Sequence, residues 1–193
     1  MTKEIHDLIS SNFKNEEEVF EGEFGGSSPI RKAIIEFTKK YGIDHYKLLC
    51  RELRVDFPNF KIDSYFHTQF QDRCISIYAS KETGLYVEHY MIGISIFNYF
   101  MIFRQDYNKI EKSYDDPYYH PDLPFSSVFD DRTFLNEGES LFADEIFNAT
   151  KQFYPELAWL PKDILTTTIR SLNIFSDRIQ EDRIVYDLLF TSN

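Results

Sequence analysis

The residues whose types and spacing speak most directly to chemistry lie between Ser113 and Phe134. The stretch SYDDPYYHPDLPFSSVFDDRTF holds five aspartates, six aromatics and three prolines against a single arginine. Aspartates supply long-range attraction for a basic partner, and Tyr and Phe supply large contact area at low entropic cost. Proline stiffens the display. This mixture suits protein recognition better than catalysis. It singles out Tyr114, Asp115, Asp116, Tyr118, Tyr119, Asp122, Asp130 and Asp131 as the expected partner-binding residues. Phe125, Phe129 and Phe134 read instead as anchors into the core. The acidic segment Glu16–Glu23, with Val19, Phe20 and Phe24, has the same character at lower density and is a candidate second edge of one surface.

Other constellations carry less. The histidines are His6, His45, His67, His89 and His120, and the cysteines are Cys50 and Cys74. Their closest spacings, His45-x4-Cys50 and His67-x6-Cys74, are not compact zinc knuckles, so no metal is expected. There is no G-x-S-x-G elbow for a nucleophilic serine. Gly25-Gly26-Ser27-Ser28 precedes a helix start, where free N–H groups attract anions. The Walker lysine is missing, however, and the five glutamates at 16, 17, 18, 21 and 23 repel phosphate. That segment reads as a loop and a helix cap, and no cofactor is expected. Adjacent acids occur at Asp115-Asp116, Asp130-Asp131 and Asp144-Glu145, with Glu137 close to Glu139. Hydrolytic carboxylates must converge from separated places in a fold, which adjacency does not supply. An enzyme built from dispersed acids and His67, His89 or His120 is the alternative reading, and an assembly module pairing through an exposed strand is a third.

The bulk chemistry narrows the partners. A net charge of −11 over 193 residues repels phosphate backbones and anionic lipid surfaces, which argues against nucleic acid and membrane and favours a cationic protein. Thirteen tyrosines are hard to bury, because each hydroxyl wants a partner or water. Two cysteines do not make a disulfide framework. The opening MTKEIHDLISSNF has neither the positive n-region nor the apolar h-region of a signal peptide. The longest apolar run, Tyr90–Phe103, is fourteen residues, short of the ~18–20 that span a bilayer. The expected location is the cytoplasm.

These residues need elements to position them. Ile5, Leu8 and Ile9 predict a short helix over 3–13. Ser28 and Pro29 start a second helix, and Gly42 ends it. From Ile43 to Val55 both periods fit, with helix favoured. Phe60–Gln71 alternates as a half-buried strand whose second face is wet. Cys74–Ala79 and Leu85–Met91 form a hairpin about a turn at Ser80–Gly84. Gly93 marks a bend before a further strand, Ile94–Arg104. The acidic aromatic tract then reads as a long loop. Gly138–Tyr154 is predicted as a helix burying Phe142, Ile146, Ala149 and Phe153. Ile164–Phe175 and Arg183–Phe190 read as a closing hairpin. The expected fold is a single α+β domain over 1–193: a helical part over 1–42, antiparallel strands over 60–105, a helix over 138–154 packed between two strand groups, and a hairpin over 164–190.

The function these features predict is non-enzymatic binding of a basic protein. In its most concrete form this is a bacterial immunity protein that neutralises a cognate toxin, such as a nuclease, by occluding it with an acidic, tyrosine-rich surface.

Overall fold

The computed structural model describes residues 2–13, 29–65, 74–84, 86–109, 125–129, 132–169 and 183–190. Helix α1 (Lys3–Asn12) begins where the Thr2 hydroxyl accepts from the Ile5 N–H, and it buries Ile5 and Ile9. Helix α2 (Pro29–Asp56) contains the predicted break: Gly42 stands at φ 60°, ψ 172°, a conformation only glycine reaches without strain. The chain resumes helix immediately, so the ambiguous stretch after Gly42 is helical. Tyr46, Leu49, Cys50 and Leu53 are its buried stripe.

The sheet is built from β1 (Lys61–Tyr65), β2 (Cys74–Thr83), β3 (Tyr86–Ser95), β4 (Tyr99–Arg104), β5 (Tyr107–Lys109), β6 (Phe125–Phe129), β7 (Thr133–Phe134) and β8 (Ala158–Trp159). The order β1-β2-β3-β4-β7 is antiparallel throughout. β8 adds one parallel pairing to β4. β5 continues the line of β4 along β3, and β6 pairs with β5. Helix α3 (Leu141–Phe153) starts at the Ser140 cap. It is followed by α4 (Lys162–Leu165), the two-residue strands β9 (Thr168–Ile169) and β10 (Arg183–Ile184), and α5 (Val185–Phe190). The fold is α+β, as the alternation of helical and strand periods predicts.

One face of the sheet carries Ile75, Ile77, Ala79, Tyr90, Ile92, Ile94, Phe100 and Ile102, all buried. Helices α2 and α3 cover it: Tyr90 meets Phe142 with ring centroids 4.6 Å apart, and Phe100 meets Phe147 at 5.0 Å. Fully burying each of the larger side chains among these contributes roughly 1.5–3 kcal/mol. The opposite face, expected to be wet, is covered in part by α5. Tyr186 donates to the Met91 sulfur at 3.9 Å, and the Cys74 thiol donates to the Phe190 carbonyl at 2.9 Å.

Four expectations fail for identifiable reasons. Val185–Phe190 is a helix rather than a strand, because its apolar residues bury Tyr186, Leu189 and Phe190 against a sheet face instead of joining an edge. Among the described residues the expected hairpin appears as the pairing of β9 with β10, residues 170–182 lie outside them, and Lys162–Leu165 is helical. Gly93 is not a bend; it lies within β3. A Cβ there would sit 2.6 Å from Met101 Cε and 2.8 Å from Phe190 Cδ1, so glycine makes room for its cross-strand partner Met101 and for α5. The chain reverses instead at Asn98, whose φ of 63° is left-handed, and this splits the long apolar run into β3 and β4. The α3 stripe is rotated, with Ala143, Ile146, Phe147 and Thr150 fully inward while Phe142, Ala149 and Phe153 are half-buried.

Candidate partner-binding site

The acidic tract grows from a pair of strands. Tyr107 in β5 lies opposite Phe129 in β6, and Lys109 lies opposite Phe125, with a register shift between the two pairs. Farther down, Phe103 and Arg104 of β4 lie opposite Phe134 and Thr133 of β7. Residues 110–124 therefore connect two chain segments that are hydrogen-bonded to each other and to the sheet. The tract is thus strand in part, which corrects its reading as one long loop. Within Phe125–Phe129 the Ser-Ser pair interrupts any apolar alternation, so the sequence period does not reveal β6. Tyr114, Asp115, Asp116, Tyr118, Tyr119, Asp122, Asp130 and Asp131 all lie outside the described residues, as does Glu16–Glu23. Of the expected aromatic anchors, Phe134 is half-buried, its ring 5.8 Å from that of Phe103 and 5.3 Å from that of Tyr186.

The root of the tract is held by charge on one side of the sheet. Arg104, the last residue of β4, donates from Nε to Asp106 Oδ1 at 2.9 Å and from Nη2 to Asp106 Oδ2 at 2.7 Å. Its other nitrogen lies 3.3 Å from Glu88 Oε1, and the Tyr90 hydroxyl donates to that same carboxylate oxygen at 2.6 Å. The guanidinium also lies 5.8 Å from the Tyr90 ring centroid. The Asp106 hydrogen bonds hold the Arg104 pKa above its ordinary value, and burial raises that of the Tyr90 phenol. The arrangement fixes the step from β4 to β5: Asp106 sits in the two-residue gap, and Gln105 N–H donates to the His89 carbonyl at 2.9 Å. The signal for this was the Arg104-x-Asp106 spacing, which places opposite charges on one side of an extended chain.

Aromatic rings hold the other side. His89 is buried, stacked on Tyr78 at 5.6 Å and edge-on to Tyr107 at 5.2 Å. Burial lowers its pKa to about 4, against the opposing pull of Asp106 and Asp63. His89 is therefore neutral at pH 7 and acts as a flat ring in an aromatic stack. Arg132, the single arginine of the tract, lies over the rings of Phe103 and Tyr186, 5.3 Å and 5.8 Å from their centroids. Burial pushes the Tyr186 pKa up to about 12. The other histidines raised as enzyme candidates, His67 and His120, lie outside the described residues.

Among the described residues no group of three His, Cys, Asp or Glu side chains is placed to hold a metal ion, and no helix is long and apolar enough to cross a membrane. Cys50 is buried and Cys74 half-buried, and the Cys74 thiol is the donor to the Phe190 carbonyl described above. No family model matches the chain, and no curated protein or solved structure matches it.

Proposed function

We propose that the chain acts by binding a basic protein through the acidic, tyrosine-bearing tract. The supporting observation is the root. Both ends of residues 110–124 join paired strands, and Arg104, Asp106 and Glu88 lock the step that leads into them. Anchored ends reduce the entropy that a long connection loses on binding, so less of the contact energy is spent on ordering. The net charge of −11 supplies a field that draws in a cation. In this reading Asp115, Asp116, Asp122, Asp130 and Asp131 accelerate encounter, while Tyr114, Tyr118 and Tyr119 supply buried contact. The most concrete form is a bacterial, cytoplasmic immunity protein that covers the active site of a cationic toxin, such as a nuclease, and mimics its anionic substrate.

The test is competitive capture from cells that naturally make the protein. Wild-type chain and an Asp115→Lys/Asp116→Lys variant serve as paired baits at low salt. The expected result is a basic protein held by wild type and lost with the variant, whose enzymatic activity the wild-type chain blocks. Equal capture by both baits would remove these aspartates from the interface.

A further inference from the structure

Among the described residues β1 is an outermost strand of the sheet, and the parity of the ladder fixes which of its backbone groups face outward. Thr83 pairs with Tyr86 across the β2–β3 turn with only two residues between them, so this pair exchanges both of its backbone hydrogen bonds. Directions alternate along a strand. Thr83, Lys81, Ala79 and Ile77 therefore turn their N–H and C=O toward β3, and Ser80, Tyr78 and Ser76 turn theirs toward β1. The same parity sends the His89 carbonyl toward β4, where the Gln105 N–H meets it. On β1 the residues opposite Ser80, Tyr78 and Ser76 are Lys61, Asp63 and Tyr65. The N–H and C=O groups of Ile62 and Ser64 hence point away from the sheet, as a template for another strand. A side chain stands in that template. Arg54, exposed near the C-terminal end of α2, donates to the Ile62 carbonyl from both Nε (3.2 Å) and Nη2 (3.1 Å). Its guanidinium occupies the place that the N–H of an incoming strand must take.

We propose that the outer edge of β1 is a strand-pairing surface held closed by Arg54, and that the strand it takes when open is β1 of a second copy of this chain. Charge selects that occupant. Lys61 and Asp63 flank Ile62 on one face of β1, 2.9 Å apart, with side chains 66% and 44% exposed. Turned antiparallel about Ile62, two copies set each Lys61 opposite the Asp63 of the other, and each Ser64 opposite the other's Phe60. Sliding the register so that Ile62 opposes Ser64 sets Asp63 against Asp63, which repels. Pairing requires two guanidinium groups to withdraw, one from each copy. Arg54 thereby keeps copies of the chain apart, whatever the acidic tract binds.

Sedimentation velocity on Arg54→Ala tests this at ~0.3 M salt, where the self-repulsion of a chain carrying −11 is screened. Wild type is expected as a 23.0 kDa monomer. The variant is expected to dimerise with a dissociation constant at least ~10-fold lower, since two charge-assisted caps are lost. Adding Asp63→Lys, which sets lysine against lysine, should return the variant to monomer. Amide exchange reads the same event residue by residue. In wild type the outward Ile62 and Ser64 amides exchange faster than that of Asp63, which bonds β2. In the Arg54→Ala dimer they slow at least ~10-fold while Asp63 stays protected. A variant as monomeric as wild type overturns the proposal. So does a dimer that survives Asp63→Lys, because it pairs through another surface. Loss of protection at Asp63 in the variant also overturns it, because Arg54 would then be a clamp that keeps β1 on the sheet rather than a guard of its edge.

Discussion

Replacing Arg104 with methionine tests whether charge holds the root of the tract. Methionine keeps much of the stem's length and removes the guanidinium, leaving Glu88 and Asp106 as unpaired acids whose side chains are only 20% and 24% exposed. A hydrogen bond to a charged group contributes ~1.5–3 kcal/mol when buried. The Arg104 side chain is 38% exposed, which pulls each contact toward the ~0.2–1 kcal/mol of surface pairs. Three short contacts to Asp106 and one to Glu88 then predict a loss of about 2 kcal/mol. Urea denaturation followed by Trp159 fluorescence measures it. Trp159 is a suitable reporter because it packs on Phe100 at 4.9 Å and donates to the Leu135 carbonyl beside β7. In a Glu88→Gln/Asp106→Asn background the same substitution should cost at most half as much, because the orphaned acids are gone. A loss below ~0.3 kcal/mol, or equal losses in both backgrounds, would show that the root is held by backbone pairing alone.

Gly93→Ala should destabilise by ~1–3 kcal/mol, since its Cβ would fall inside contact distance of Met101 and the buried Phe190 ring; unchanged stability by the same urea assay would mean α5 packs more loosely than described. His89 predicts an acid-side loss. Its folded pKa of about 4 lies below the ordinary 6.5, so its contribution is complete above pH 6.5 and fades as pH falls toward 4. The loss amounts to up to about 3 kcal/mol. Urea midpoints from pH 7.5 down to 4.5 should fall in wild type and flatten in this window for His89→Gln. Parallel slopes would show that His89 is not the titrating group.

How much could be read from the chain depended on whether the deciding contact was local. The helix over 3–13 and the break at Gly42 rest on residues within a turn or so of each other, and they are legible. Gly93 was not, because its reason lies in the cross-strand Met101 and in a helix almost a hundred residues later. The helical state of Val185–Phe190 was hidden in the same way, since its six apolar-rich residues fit either period until the sheet face they cover is known. For the candidate site, composition picked out the tract, while its root depended on pairing between β5 and β6 across residues 110–124. Arg104 and Asp106 were visible only as ordinary strand-end charges.

The central claim is charge-steered binding by the tract, and the association rate tests it most directly. The partner recovered by the paired capture is mixed with wild-type chain in stopped flow across ionic strengths from low to ~0.5 M, where the screening length falls below ~10 Å. The account predicts at least a ~10-fold fall in the association rate over that range, and a slower, flatter profile for Asp115→Lys/Asp116→Lys. A wild-type rate that is indifferent to salt would contradict it.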